Sequence, residues 1–179
     1  MDNEENMDFN KIKLIILDND GVLTDGKIVY NNDQIESKNY NAKDGLGIKL
    51  LQFSGIELAI ITGRTSKILE KRCDDLQIEL LFQGVRNKLR KTKELLNKLD
   101  LDWENVAYMG DDWNDIPVIE KCNISATPAD AFDDIKSRVD LVTERKGGEA
   151  AVREFIELIL KKQGKYEESL QKLLDRLMS

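Results

Sequence analysis

Ile12-Lys13-Leu14-Ile15-Ile16-Leu17-Asp18-Asn19-Asp20-Gly21 is the stretch on which the reading of this chain turns. Six residues with a single charge, Lys13, form a short apolar run of the kind a strand shows when helices cover both of its faces. The run ends in two carboxylates and a glycine. In doubly wound sheets that end of a strand is where ligands bind.

Three further runs repeat the design, at Ile56 to Ile61, Glu79 to Phe82 and Val106 to Met109, each leading into polar or glycine residues. Helical spacing fills the gaps, over about Gly45 to Phe53, Ser66 to Leu76, Asn87 to Leu99 and Asp115 to Lys121. Alternation of this kind predicts an α/β fold: a Rossmann-like three-layer α/β/α domain around a mostly parallel sheet. Ile124 to Ala126 and Val139 to Val142 read as later strands, and about Gly148 to Lys161 as a closing helix.

Two segments depart from the alternation. Lys27 to Tyr30 and Gln34 to Lys38 flank the turn-forming Asn31, Asn32 and Asp33, which predicts a β-hairpin flap over about 26–40. After Gly164, the leucines 170, 173, 174 and 177 recur at helical spacing, so Tyr166 to Ser179 reads as an amphipathic helix that needs a partner surface. The expected organisation is a loosely attached N-terminus over 1–10, one domain over 11–162 and a C-terminal helix or tail over 163–179.

Composition excludes several functions. The 179 residues carry a net charge of −7 with scattered basic residues, which argues against nucleic acid as a partner. Met1 to Asn10 is polar and acidic, unlike an export signal, and no apolar run suits a membrane, so a cytoplasmic location is expected. Cys73 and Cys122 are read as reduced thiols inside helices. The absence of histidine removes Ser/His and Cys/His catalytic pairs and the commonest zinc ligand. Catalysis would have to run on carboxylates, hydroxyls and lysines.

The strand ends supply those groups. Asp18 and Asp20 follow the first run, Thr62, Gly63 and Arg64 the second, Gln83 to Lys88 the third, and Gly110, Asp111, Asp112, Trp113, Asn114 and Asp115 the fourth. Taken singly, each piece suits an ordinary turn, helix cap or surface charge. Their order at successive strand ends points to one crevice holding Asp18, Asp20, Asp111, Asp112 and Asp115 with Thr62 and Lys88 beside them. Five carboxylates there require a hard cation, and Mg2+ with carboxylate, water and phosphate ligands fits the chemistry.

At these residues the chain resembles the haloacid dehalogenase superfamily, over roughly residues 11 to 162. The resemblance implies a Mg2+-dependent phosphoric monoester hydrolase in which Asp18 attacks phosphorus to form an aspartyl phosphate. Asp20 would protonate the leaving oxygen and then activate water. Asp18, Asp20 through its carbonyl, and Asp111 would bind the metal, Thr62 and Lys88 would hold phosphoryl oxygens, and Asp112 or Asp115 would orient a metal-bound water and Lys88.

The gaps after Asp20 and between Thr62 and Lys88 leave no room for a cap domain. The flap, the segment Asn41 to Ile48, Ile60 to Arg64, Phe82 to Lys88 and Lys146 to Arg153 resemble the capless 3-deoxy-D-manno-octulosonate 8-phosphate phosphatases of lipopolysaccharide sugar synthesis. That resemblance implies a sugar acid phosphate substrate and a homotetramer. Arg64, Lys43 and Arg86, with Gly63, are the candidate substrate-binding residues, and Arg64 favours the eight-carbon acid over nine-carbon sialic-type 9-phosphates. Asn19 stands where the family has an apolar residue, and continued strand alternation would point its side chain away from the carboxylates. A phospho-accepting receiver-like domain and an inactive binding domain are the remote alternatives, the former weakened because the third strand ends in Gln83 and Gly84 rather than a carboxylate.

Overall fold

The computed structural model describes residues 7–178. Its centre is a six-stranded parallel sheet in the order β5-β4-β1-β6-β7-β8, made of β1 (Leu14–Leu17), β4 (Glu57–Ile61), β5 (Leu80–Phe82), β6 (Val106–Met109), β7 (Ile124–Thr127) and β8 (Leu141–Val142). The first run is therefore flanked by the second and fourth, with Leu17 level with both Ile60 and Met109. Strand order reverses direction at β1, which places a crevice at its carboxyl end.

Alternation within the apolar runs builds both layers. Ile15 and Leu17 face one core together with Leu58, Ile60 and Met109, while Leu14 and Ile16 face the other with Ala59, Ile61 and Tyr108. Helices α1 (Ala42–Gln52), α2 (Lys67–Leu76), α6 (Ala151–Lys162) and α7 (Tyr166–Met178) contribute to the first core, and α3 (Lys88–Leu99), α4 (Ile116–Ile119) and α5 (Asp133–Lys136) to the second. This is the three-layer arrangement that the run pattern predicts, with no cap domain among the described residues.

The flap is a two-stranded antiparallel ribbon, β2 (Val29–Tyr30) with β3 (Glu36–Ser37). Asn31 shapes its turn, its Oδ1 accepting from the N–H groups of Asp33 and Ile35 at 3.0 and 2.8 Å. α7 lies on the domain, with Leu173 buried and Tyr166 and Leu170 against the same core. Leu174 and Leu177 on it stay exposed. No helix among the described residues is long and apolar enough to cross a membrane.

Several boundaries differ from expectation for local reasons. α1 begins at Ala42, three residues early, because Asn41 caps it by accepting from the Lys43 N–H, while Gly45 and Gly47 blur the apolar period. α6 begins only at Ala151, since Gly148 and Ala150 hold positive φ. α4 is shorter than expected, being preceded by a tight 3-10 turn over 113–115. Cys122 consequently lies beyond that helix and not inside one, half-buried, whereas Cys73 is buried in α2, and both are free thiols. Of the expected loose N-terminus, residues 1–6 lie outside the described residues. Met7 and Phe9 pack on the core, and the carbonyls of Phe9 and Ile12 accept from Gln163 at 2.7 and 2.9 Å.

Candidate active site

β1 delivers Asp18 to the crevice, and its N–H donates to the Met109 carbonyl at 3.0 Å, carrying the pairing with β6 one residue past the strand. The chain then turns about the Asn19 carbonyl, which accepts from Val22, Leu23 and Thr24. Gly21 is required in that turn. Its φ is +87°, and a Cβ there would lie 1.9 Å from Asp111 Oδ2. The loop at Gly147 closes from behind, where a Cβ would fall 1.8 Å from the Gly21 carbonyl oxygen.

Carboxylate oxygens of Asp18, Asp111 and Asp115 gather within 4.8 Å of one another. Asp115 is wholly buried and fully occupied. Its Oδ1 accepts from Lys88 Nζ at 2.6 Å and from the Tyr108 hydroxyl, and its Oδ2 accepts from the N–H groups of Asp111 and Asp112 at 3.1 and 3.2 Å. Lys88 reaches Asp18 Oδ2 as well, at 3.0 Å, with its side chain 1% exposed. By contrast, Asp18 Oδ1 and Asp111 Oδ1 are buried without a hydrogen-bond partner among the described residues.

Electrostatics shows the same division. Burial pushes the Asp18 carboxyl up to about 6 despite the opposing Lys88 ammonium, and burial together with Asp18 and Asp115 pushes Asp111 up to about 8. Burial would lower Lys88, but Asp18 and Asp115 outweigh it and hold the ammonium above its ordinary value. Two buried carboxylate oxygens with no donors and a shared excess of negative charge suit a hard divalent cation. The donor set is all oxygen, as Mg2+ prefers.

The expected convergence of five carboxylates contracts to these three. Asp112 is exposed, and its Oδ1 caps the 113–115 turn by accepting from the Trp113 N–H at 2.7 Å. The Asp20 carboxylate faces the flap instead, bonded through Oδ1 to Lys38 Nζ and to Asn19 Nδ2, the latter at 2.9 Å, with Arg64 Nε 3.6 Å from Oδ2. Of Asp20, only the backbone carbonyl is left for the metal role expected of it.

Asn19 departs from expectation in the same place. Its side chain turns toward Asp20 and accepts from the Tyr40 hydroxyl at 3.1 Å, because strand geometry ends at Leu17 and alternation no longer applies.

Thr62, at the end of β4, is 2% exposed and pinned by its backbone to Phe82 and Val85. Beside it Gly63 is uncrowded, a Cβ there meeting nothing nearer than 3.8 Å. Arg64 lies across the flap, donating to the Tyr30 hydroxyl at 2.9 Å and to Glu36 at 3.1 Å. Arg86 is exposed on the loop before α3 and has no ion pair among the described residues. Lys43 is not brought to the acids. It lines a separate cavity of about 410 Å³ with Arg145, Arg153 and Glu157.

Sequence reasoning missed Lys38, Tyr40 and Tyr108. The only available signal was their position, one tyrosine inside an apolar strand and two polar groups on the flap's return.

Residues 75–156 match the haloacid dehalogenase-like hydrolase family model. The chain is 49% identical over 158 residues to the 3-deoxy-D-manno-octulosonate 8-phosphate phosphatase KdsC of Escherichia coli K12, covering 88% of this chain and 84% of that protein. The crystal structure of the phosphatase of the same name from Yersinia pestis superimposes with a TM-score of 0.87 at 45% identity, over 89% of this chain and 86% of that one. That from Moraxella catarrhalis, solved with a magnesium ion, a phosphate ion and KDO, superimposes with a TM-score of 0.88 at 36% identity, over 92% and 94%. With the carboxylates and lysine placed as the strand ends dictate, and relatives this similar along most of its length, the chain belongs to the haloacid dehalogenase-like hydrolase family, in the branch of the 3-deoxy-D-manno-octulosonate 8-phosphate phosphatases.

Proposed function

We propose that this protein hydrolyses 3-deoxy-D-manno-octulosonate 8-phosphate to the free sugar acid and inorganic phosphate, using Mg2+ and an aspartyl-phosphate intermediate, in the cytoplasm. The observation that carries the reading is the pair of donorless buried oxygens on Asp18 and Asp111, with Lys88 held at the other oxygen of Asp18. Substrates of that name in the E. coli and Y. pestis relatives support the choice of sugar acid.

Asp18 and Asp111, with the Asp20 carbonyl, would hold the metal. Once bound, Mg2+ supplies the positive charge that offsets repulsion between a carboxylate nucleophile and a phosphate dianion. Asp18 attacks phosphorus, so that a carboxylate-phosphorus bond forms as the ester bond to the sugar oxygen breaks. Asp20 gives that oxygen a proton, then takes one from the water that cleaves the acyl phosphate. Thr62 and the Lys88 ammonium stabilise the charge on the transferring oxygens, and Asp115 fixes Lys88 in place.

Arg64 meets the substrate carboxylate by giving up Glu36, and Arg86 is the second cation at the mouth. The protein works as a homotetramer in which neighbouring copies cover the uncapped crevice. The exposed Ile28, Val29, Tyr30 and Ile35 of the flap, and Leu174, Leu177 and Met178 of α7, support an assembly that buries them.

Phosphate release from the eight-carbon acid 8-phosphate and a nine-carbon acid 9-phosphate, each with and without Mg2+, tests the reading. A higher kcat/KM on the eight-carbon ester with Mg2+ is expected, and a preference for the nine-carbon ester would replace the substrate assigned here. Light scattering at micromolar concentration tests the assembly, and a monomer would refute it.

A further inference from the structure

Lys38 directly follows the return strand β3 of the flap, and its side chain, like that of Lys88, is 1% exposed. A lysine loses its hydration at that depth and is stable only against a carboxylate. The partners are Asp20, whose Oδ1 accepts from Nζ, and Glu36, whose Oε1 lies 3.5 Å away. Glu36 is itself anchored on the core, accepting from Ser66 Oγ at 2.6 Å and from Arg64 at 3.1 Å. The ammonium is thus fixed in space by the flap's attachment to β4 and α2, and Asp20 is fixed by the ammonium.

The two oxygens of Asp20 consequently differ. Oδ1 is held from one side by Lys38 and from the other by Asn19 Nδ2 at 2.9 Å, while Asn19 is oriented in turn by the Tyr40 hydroxyl at 3.1 Å. Oδ2 is buried and makes no hydrogen bond among the described residues, with Arg64 Nε 3.6 Å from it. A carboxylate pinned at one oxygen by two donors cannot rotate to exchange its oxygens, so one of them alone is available to the reaction.

We infer that Lys38 is a positioning residue for catalysis: through the Lys38–Asp20–Asn19–Tyr40 chain the flap reserves Oδ1 as an anchor and presents Oδ2 to the leaving oxygen of the phosphate ester. The inference rests on the reading of Asp20 as the group that protonates the leaving oxygen, and adds to it the part of the molecule that aims it. The flap then has a chemical task besides covering the crevice. Its position and proton delivery to the departing sugar are coupled through one ammonium.

Aiming a proton matters in proportion to how poorly the leaving group departs. An alkoxide sugar oxygen needs the proton, whereas 4-nitrophenolate leaves without it. The test compares kcat/KM, which reports the first chemical step, for the sugar acid phosphate and for 4-nitrophenyl phosphate in wild type, Lys38→Met, Tyr40→Phe and Asp20→Asn. Lys38→Met should lose about 10- to 100-fold on the sugar ester and under about 3-fold on the aryl ester, a fraction of the ~100- to 10,000-fold range for general acid catalysis. Tyr40→Phe, which keeps the ion pair and removes only the outer link, should show the same bias at a few-fold.

Equal losses on both esters in Lys38→Met, with Tyr40→Phe showing no bias, would overturn the inference and leave Lys38 as a support for the fold. Should Lys38→Met fail to fold, the bias or its absence in Tyr40→Phe decides. Asp20→Asn keeps the two failures apart. A leaving-group bias there without one in the Lys38 and Tyr40 variants sinks this inference alone, and no bias in Asp20→Asn sinks the reading beneath it.

Discussion

Asp115 Oδ1 and Lys88 Nζ lie 2.6 Å apart, and neither side chain is more than 1% exposed. The pair is what lets a lysine remain charged beneath the sheet edge with its remaining donors free for Asp18 and a phosphoryl group. Removing Asp115 leaves the buried Lys88 ammonium with Asp18 as its one remaining carboxylate among the described residues, which is costlier than losing a surface ion pair.

Asp115→Asn should therefore destabilise the protein by about 3–5 kcal/mol. For a chain of this size that corresponds to a fall in Tm on the order of 10 °C. Thermal denaturation in saturating Mg2+ is the measurement. Phosphatase activity should fall as well, because Lys88 loses its support. A Tm within about 2 °C of wild type would mean that the pair does not hold the site together.

Lys88→Met removes the cation but fills nearly the same volume. Loss of a charge-stabilising donor of this kind costs about 100- to 1000-fold in kcat. KM should change much less, since the lysine acts on charge that develops as phosphorus transfers. A variant that retained more than about a tenth of wild-type kcat would remove Lys88 from the mechanism.

The metal-free protein should lose stability as pH rises. Asp18 and Asp111 titrate near 3.9 in the unfolded chain but at about 6 and about 8 when folded. For carboxyls raised in this way, the folded state binds protons more tightly. Their contribution is then complete below the unfolded value and disappears between about pH 4 and pH 8. Mg2+ competes with those protons, so the Tm increase it produces should be small near pH 5 and large near pH 8. Melting curves in chelator and in Mg2+ across that range provide the check, and a Mg2+ effect independent of pH would contradict it.

Arg64→Ala should separate recognition from chemistry. With a charged hydrogen bond worth about 1.5–3 kcal/mol, kcat/KM on the sugar acid phosphate should fall about 10- to 150-fold. 4-Nitrophenyl phosphate, which has no carboxylate and whose leaving group departs without a proton, should be hydrolysed nearly as before. Equal losses on both would assign Arg64 to holding the flap through Glu36 and Tyr30 instead of to the substrate.

Much of this site is legible in the order of residues, because a strand buried on both faces reveals itself by an unbroken apolar run and hands whatever follows it to one edge. Asp18, Thr62, Lys88 and Asp111 are found in that way. The direction of a side chain beyond the strand end is not, since it depends on the turn: Asn19 faces Asp20 against the alternation, and Asp112 spends its carboxylate on capping. Residues that act through contacts distant in sequence escape altogether. Lys38 reaches Asp20 across 18 positions, and Tyr108 looks like one more apolar residue of β6 until Asp115 is placed above it. Lys43, expected near the mouth, instead lines a separate cavity with Arg145, Arg153 and Glu157, a grouping of residues distant in sequence that no local pattern reveals.

The central claim is that Asp18 carries the phosphoryl group. Acid quenching during turnover with Mg2+, followed by peptide mass spectrometry, tests it on the protein as it stands. One phosphoryl group should appear on the peptide containing Asp18, vanish once substrate is exhausted, and be absent from Asp18→Asn, which should also release no phosphate and melt higher than wild type in chelator. A phosphoryl group on any other residue, or undiminished turnover in Asp18→Asn, would contradict the account at its root.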